Sequence, residues 1–117
     1  MKTILVVDDE SDIRDSIKMI LEKKGYNVIT SFDGDDCLKI LNHSKIDLVL
    51  LDIMMPGKPV SEIVENIENV KIAYVSAIQI SDIEKKELST QDNIVDFIQK
   101  PFDTIELADK VKKILGE

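Results

Sequence analysis

Polar side chains stand at or just beyond the ends of several short apolar runs in this sequence. They are three carboxylic acids, one alcohol and one amine: Asp8, Asp9, Asp52, Ser76 and Lys100. Short apolar runs without alternation are typical of buried strands, and in an open α/β sheet ligands bind outside the carboxyl ends of the strands. We therefore expect these side chains to meet at one edge of a sheet.

Such a group of side chains suits phosphoryl-transfer chemistry. Carboxylates held close together repel one another unless a cation or protons intervene, and hard oxygen ligands with room for water suit Mg²⁺. With a metal held by Asp8 or Asp9 and by Asp52, the remaining oxygen of Asp52 could attack phosphorus. The metal would neutralise charge on the transferred group. Lys100 would bind Asp52 at rest and a phosphoryl oxygen afterwards, and Ser76 could donate to another oxygen.

The rest of the sequence alternates between strand and helix patterns. Five apolar runs, most of them without period-two alternation, are typical of parallel strands buried on both faces. These runs are 4–7, 28–29, 48–51, 72–75 and 94–98. Amphipathic helical patterns follow each run, and the pattern at 81–88 is the weakest. The alternation predicts an α/β fold, a doubly wound parallel sheet of five strands flanked by five helices.

Local boundary signals agree with this alternation. The segment 23–25, Lys-Lys-Gly, combines basic residues with a glycine, as helix carboxyl ends often do. Asp103 with Glu106, and Ser81 with Glu84, have the spacing of capping boxes. These signals predict one helix end and two helix starts.

Composition excludes several classes of function. A net charge of −8 over 117 residues disfavours general binding to nucleic acid or to an anionic membrane surface. One cysteine, Cys37, and one histidine, His43, cannot form an internal disulfide or a zinc-binding cluster. No segment has the length of a membrane span or the pattern of a signal peptide. We expect one domain over 1–117, located in the cytoplasm, without direct nucleic-acid contact or membrane insertion.

Four motifs resemble the receiver domains of two-component response regulators. They are "VVDDE", "LLDIMMPG", "YVSA" and "DFIQKPF", which occur in the family's order and together span nearly the whole chain. The resemblance implies the flavodoxin-like receiver fold with strand order 2-1-3-4-5. It also implies a function, in which the domain accepts a phosphoryl group from a histidine kinase and does not turn over external substrates.

The resemblance assigns roles to the residues of the strand ends. Asp52 corresponds to the phosphoacceptor. Asp8 and Asp9 correspond to the metal-binding pair, which holds Mg²⁺ together with Asp52 and the main-chain carbonyl of Met54. Ser76 matches the switch hydroxyl.

Further matches concern the signal itself. Lys100 matches the phosphate-binding lysine, and its bond to Pro101 is typically cis in the family. Phe97 stands where the family carries its switch aromatic, although an aromatic residue in a strand commonly packs into the core in any case. In the family the movement of this side chain changes a surface of the fourth helix, fifth strand and fifth helix, where a downstream protein binds.

The sequence departs from the family pattern in two loops. After Gly57 the usual Met-Asp-Gly is replaced by 58–60, Lys-Pro-Val, so we expect Gly57 to take over the turn and a helix to start near Ser61. Before the switch aromatic, Asn93 and Ile94 replace a common Gly-Ala. Asparagine tolerates the left-handed conformation, so Asn93 could adopt it.

The residues two positions beyond Asp52 and Ser76 are both apolar. They are Met54 and Ile78, which flank the water that attacks the phosphoryl group in the family. Neither side chain can orient water by hydrogen bonding. We therefore expect the phosphorylated form to lose its phosphoryl group slowly.

Three other functions deserve comparison. A phosphatase of the haloacid-dehalogenase type needs a second acid two residues after its nucleophile, and Met54 stands there. A flavin-binding electron carrier needs a phosphate loop after the first strand, where Asp8 and Asp9 would repel phosphate. The main alternative is a pseudo-receiver, which would dock to partners independently of phosphorylation.

Overall fold

A computed structural model describes residues 1–77, 81–89 and 91–117. The strands are β1 (Thr3–Val7), β2 (Asn27–Ser31), β3 (Leu48–Asp52), β4 (Lys71–Ser76) and β5 (Ile94–Gln99). The helices are α1 (Ser11–Lys23), α2 (Gly34–His43), α3 (Val60–Glu65), α4 (Asp82–Leu88) and α5 (Thr104–Leu115). Each predicted element is therefore present, and the predicted strand cores lie within the observed strands.

The five strands form one parallel sheet in the order β2-β1-β3-β4-β5, which confirms the predicted fold and strand order. Every residue of β3 is buried, because this strand lies at the centre of the sheet with helices on both faces. The absence of alternation in the apolar runs thus has a direct cause. Both faces of the central strands are covered.

Two apolar cores lie on the two faces of the sheet. Successive residues of a strand point to opposite faces, so Ile4 and Val6 belong to one core and Leu5 and Val7 to the other. Helices α1 and α5 cover the first core through Ile17, Leu21, Leu107 and Val111. Helices α2 and α3 cover the second core through Cys37, Ile63 and Val64.

The predicted helix boundaries are confirmed. Helix α1 ends at Lys23, and Gly25 follows with a φ of +94°, a backbone conformation that favours glycine. The hydroxyl of Ser81 accepts from the amide of Glu84, whose carboxylate accepts in return from the amide of Ser81. Asp103 caps α5 by accepting from the amide of Glu106 at 2.7 Å.

The unusual loop before α3 also follows the prediction in its main feature. Gly57 adopts a φ of +97°, and the helix begins at Val60, one residue before the expected start. Pro59 precedes the helix and fixes its own φ, which suits a helix start. A Cβ on Gly34 would lie 2.5 Å from Cδ1 of Ile63, so this glycine allows α2 to approach α3 closely.

Asn93 does not adopt the left-handed conformation that asparagine tolerates. Among the described non-glycine residues, Asn69 has the positive φ, 62°. The side-chain amide of Asn93 instead donates to the main-chain oxygens of Ile67 at 3.1 Å and Val70 at 2.9 Å. Asn93 therefore serves as a polar bridge between two loops, and such a long-range bridge leaves no local signal in the sequence.

No helix in the described ranges is both long and apolar enough to cross a bilayer. The longest, α1, has 13 residues, whereas a span requires about 20 apolar residues.

Candidate functional site

The carboxyl ends of four neighbouring strands bring the predicted site residues to one edge of the sheet. Asp8 follows β1, Asp52 and Ser76 end β3 and β4, and Lys100 follows β5. The first three are buried, with 2%, 3% and 3% of their surface exposed, and the side chain of Lys100 is 10% exposed. Asp9, next to this group, is exposed. The structure therefore combines a buried polar group with the accessible carboxylate of Asp9 beside it.

The ammonium of Lys100 lies between two buried carboxylates. Its Nζ is 2.8 Å from Oδ2 of Asp8 and 3.6 Å from Oδ2 of Asp52. We expected Lys100 to bind Asp52 at rest, and the closer of its two partners is in fact Asp8. A single positive charge that faces two buried negative charges is best placed where it contacts both.

These contacts shift two pKa values. The pKa of Asp52 is raised, chiefly by burial and also by the neighbouring Asp8. The hydrogen bond from the amide of Met54 and the charge of Lys100 oppose this rise only in part. Burial lowers the pKa of Lys100, but the hydrogen bond to Asp8 and the charges of Asp52, Asp8 and Glu10 together raise it above its usual range. Lys100 is therefore a permanent cation at neutral pH.

Main-chain contacts orient the two buried carboxylates. The amide of Met54 donates to Oδ1 of Asp52 at 2.9 Å, and the amide of Glu10 donates to Oδ1 of Asp8 at 3.0 Å. In both residues the contact to Lys100 uses the other oxygen, Oδ2. Arg14 in α1 donates to the main-chain oxygen of Asp8 at 2.7 Å. Sequence reasoning missed Arg14, because a contact from a helix to a preceding carbonyl has no distinctive spacing.

The acidic side of the site has the donor set of a hard divalent cation. Carboxylate oxygens of Asp8, Asp9 and Glu10 lie within 4.8 Å of one another. Asp52 adjoins them through the ammonium that it shares with Asp8. One lysine cannot balance this many carboxylates, and oxygen ligands of this kind fit Mg²⁺. Glu10 is an additional candidate ligand to which the sequence motifs assigned no role.

The loop after β5 is attached to the end of β4. The main-chain oxygen of Ser76 accepts from the amide of Lys100 at 2.7 Å and from the side-chain amide of Gln99 at 3.2 Å. The same amide of Gln99 donates to the main-chain oxygen of Lys100 at 2.9 Å. The Lys100–Pro101 bond is cis, as the resemblance implied. Gln99 was not singled out in the sequence, since its contacts depend on how β4 and β5 pair.

Phe97 lies beside the site and is half-buried, so the expectation of a core position holds only in part. Its ring centroid is 5.2 Å from that of Tyr74, and Nζ of Lys85 in α4 is 5.7 Å from the ring centroid of Phe97. The side chain thus links the second core to the surface of α4. Ile78, the other residue expected near the attacking water, lies outside the described residues.

Solved structures share this fold over nearly the whole chain. The response regulator protein TrrA from Thermotoga maritima, in complex with Mg(2+)-BeF, is 37% identical with a TM-score of 0.81, over 98% of this chain and 100% of that one. Another response regulator from Thermotoga maritima is 32% identical with a TM-score of 0.83, over 100% and 99% of the two chains. A CheY-like receiver domain protein from Methanospirillum hungatei JF-1 is 30% identical with a TM-score of 0.85, over 98% and 94%.

A family model agrees with these structural likenesses and with the four sequence motifs. The model of the response regulator receiver domain matches residues 4–112, which include every residue of the site described above. The chain therefore belongs to the receiver domain family of two-component response regulators.

Proposed function

We propose that Asp52 accepts a phosphoryl group from the phosphohistidine of a histidine kinase in a reaction that depends on Mg²⁺. The observation that carries this proposal is the arrangement of Asp52, Asp8 and Lys100, in which two buried carboxylates share one ammonium beside exposed acids. Such a group is costly to bury and contributes little to stability, so its presence favours a chemical role.

The nucleophile in this proposal is Oδ2 of Asp52. Oδ1 is engaged by the amide of Met54, whereas Oδ2 faces Lys100. The new bond joins Oδ2 to phosphorus while the bond between phosphorus and the imidazole nitrogen of the donor breaks, and the leaving imidazole takes up a proton. Burial leaves the carboxylate of Asp52 poorly solvated and raises its pKa, and a nearby cation would favour its ionised form.

The proposed ligands of Mg²⁺ are Asp8, Asp9, Asp52 and the main-chain carbonyl of Met54. The cluster of carboxylate oxygens around Asp8 and Asp9 supports this assignment. When bound, the ion neutralises negative charge on the transferred group. The complex of TrrA with Mg(2+)-BeF is consistent with it, since TrrA is the relative of 37% identity.

Lys100 and Ser76 would receive the phosphoryl group. In the proposed reaction the ammonium of Lys100 exchanges a carboxylate oxygen for a phosphoryl oxygen, a short movement for a flexible side chain that already contacts Asp52. The hydroxyl of Ser76 donates to another phosphoryl oxygen. Phe97 then turns inward as Ser76 is drawn toward the phosphoryl group, and this movement changes the surface around α4, β5 and α5.

That surface is the proposed binding site for the downstream protein. Val95 of β5 is 42% exposed and Ile105 of α5 is 71% exposed, and both are large apolar side chains. An ion pair between Asp96 and Lys110, 3.8 Å apart, lies between the same two elements. Apolar side chains framed by charge are typical of protein docking surfaces. The proposed output is therefore a protein contact, without turnover of an external substrate.

Incubation with Mg²⁺ and acetyl phosphate, followed by intact mass over time, tests the central proposal. We expect one phosphoryl adduct that disappears with EDTA and in Asp52→Asn. Asp47→Asn is the matched control, since Asp47 lies at the opposite edge and accepts from the amide of Thr3. A lack of adduct, together with a lack of beryllofluoride binding, would favour the phosphorylation-independent docking module.

The lifetime of the adduct tests a finer point. The side chain of Met54 is 56% exposed beside Asp52 and cannot orient a water molecule by hydrogen bonding. We expect Met54→Asn or Met54→Glu to shorten the lifetime. Unchanged decay in both variants would contradict the role given to position 54.

A further inference from the structure

A buried tyrosine hydroxyl holds the carboxyl-terminal end of α4. Tyr74 in β4 is 1% exposed, and its hydroxyl donates to the main-chain oxygen of Leu88 at 3.1 Å. Leu88, the last residue of α4, packs against the second core. The other described side chains of this helix are exposed: Asp82, Glu84, Lys85 and Lys86. Among the described contacts, α4 is thus fixed to the core mainly through Leu88.

The same tyrosine adjoins the residues of the proposed switch. Tyr74 precedes Ser76 by two positions in β4, so both side chains point to the same face of the sheet. Phe97 is the register partner of Tyr74 in β5, and the two rings are in contact. A cavity of about 360 Å³, lined by Tyr74, Ser76, Lys85 and Phe97 among others, lies between α4 and the two strands. It gives the ring of Phe97 room to turn toward Ser76.

Helix α4 contacts both aromatic residues through one face. Lys85 lies over the ring of Phe97, and Leu88 stands one helical turn further along. In the proposed switch, Phe97 would turn toward Ser76 and Lys85 would lose the ring beneath it, whereas the ring of Tyr74 would remain packed in the core. A resulting shift of α4 by about 1 Å would lengthen the hydrogen bond of Tyr74 beyond the usual range.

We propose that the hydroxyl of Tyr74 is a latch that holds α4 in its resting position and opposes the switch linked to phosphorylation of Asp52. This inference rests on the proposed function and concerns its regulation. A contact that is stronger in the resting arrangement lowers the affinity for any ligand that selects the active arrangement. Phe97 carries no hydroxyl, so among the described contacts the hydrogen bond from this aromatic pair to α4 comes from Tyr74.

Tyr74→Phe removes one oxygen and keeps the ring, which makes it a direct test. Binding of beryllofluoride in the presence of Mg²⁺ can be followed by ¹⁹F NMR in the full chain. We expect the dissociation constant of the variant to fall between about twofold and tenfold, as the loss of one buried hydrogen bond implies. A merely structural role would lower the melting temperature without tightening binding. An unchanged or higher dissociation constant overturns the latch.

Tyr26→Phe is the matched control. Tyr26 is partly buried, precedes β2 at the opposite edge of the sheet and packs against the first core. The same chemical change there should leave beryllofluoride affinity within twofold of the unmodified chain. Equal tightening in both variants would show a general loosening of the fold and would overturn the specific role of Tyr74.

A second measurement separates failure of the latch from failure of the proposed function. The amide of Ser89 donates to the main-chain oxygen of Lys85 in the last turn of α4, so its hydrogen exchange reports on that turn. Without any ligand, Tyr74→Phe should accelerate this exchange severalfold while the amide of Leu50 in β3 stays protected. Unchanged exchange overturns the latch even if no beryllofluoride binds. Accelerated exchange without binding would support the hold of Tyr74 on α4 but reject the phosphoacceptor role, and with it the opposition to phosphorylation.

Discussion

The two halves of the proposed site are built differently. On one side, Asp8 and Asp52 follow or end β1 and β3, whose residues are almost all buried between two cores. On the other side, the seven-residue α4 exposes most of its described side chains, and Ile98 is the one buried residue of the edge strand β5. In the proposed function, the chemistry that needs fixed atoms would lie on the side with more buried residues, and the movement that must reach a partner would lie on the side with more exposed residues.

This contrast has a physical basis in the contacts that each half loses when it moves. Displacing β3 would break strand pairing on both sides and disturb both apolar cores. Among the contacts of the described residues, displacing α4 would disturb the packing of Leu88 and a small number of polar contacts, chiefly the hydrogen bond from Tyr74. In the proposed switch, a modest change at Ser76 would therefore move α4 with little disturbance of the sheet.

The largest expected effect comes from breaking the charge balance of the more buried half. Lys100→Met leaves Asp8 and Asp52 buried without a counter-charge, and we expect a loss of about 3 to 5 kcal/mol in the free energy of unfolding at pH 7. The loss should shrink at acid pH, because unpaired buried carboxylates take up protons. Urea denaturation at several pH values measures both effects.

Lys110→Met is the control for this substitution. Lys110 pairs with Asp96 at 3.8 Å, and the two side chains are 41% and 34% exposed. An exposed pair of this kind contributes less than about 1 kcal/mol. Similar losses in the two lysine variants would contradict the special status of Lys100.

Metal binding at the same half of the site should raise the free energy of unfolding, by somewhat less than the loss expected for Lys100→Met. At a hundredfold excess over its dissociation constant, Mg²⁺ should add about 2.7 kcal/mol to the free energy of unfolding. Asp9→Asn removes an accessible carboxylate of the cluster and should shift the midpoint of the magnesium titration to higher concentration. Melting temperature as a function of magnesium concentration measures this, and identical titrations would exclude Asp9 as a ligand.

Two helix caps allow a direct comparison of the halves. Ser81→Ala and Asp103→Ala each remove a side-chain cap, worth about 1 kcal/mol, from α4 and α5 respectively. Helix α5 buries Leu107 and Val111, so removal of its cap should lower the free energy of unfolding of the whole chain. The loss at α4 should appear mainly as faster local hydrogen exchange. An equal loss of global stability in both variants would contradict the weak attachment of α4.

The smallest expected effect is a gain in the free energy of unfolding. The raised pKa of Asp52 means that its ionised form is disfavoured in the folded chain, so its contribution to stability falls as pH rises through the folded pKa. Without magnesium, Asp52→Asn should therefore be slightly more stable than the unmodified chain at pH 7, by less than about 1 kcal/mol. The difference in stability should vanish or reverse at pH 3, where the side chain at position 52 is neutral in both the variant and the unmodified chain. Thermal melts at the two pH values measure it.

Prediction from sequence succeeded where the signal was local or periodic. The five apolar runs gave the strands, and the capping patterns at Ser81 and Asp103 gave two helix starts. The sequence analysis was silent on the contacts of Asn93, Arg14 and Gln99. The hydrogen bonds of Asn93 and Gln99 join segments that are distant in sequence, and the bond from Arg14 to the main-chain oxygen of Asp8 has no distinctive spacing.

The sequence by itself determined the architecture, the family and the set of polar groups at the strand ends, because burial periodicity and motif order are properties of the chain. The structure alone decided that Lys100 lies closer to Asp8 than to Asp52, and that Tyr74 reaches the end of α4. Both results depend on distances across the sheet, which follow from the packing of whole elements and from the balance of charge among buried groups. No local pattern of residues encodes them.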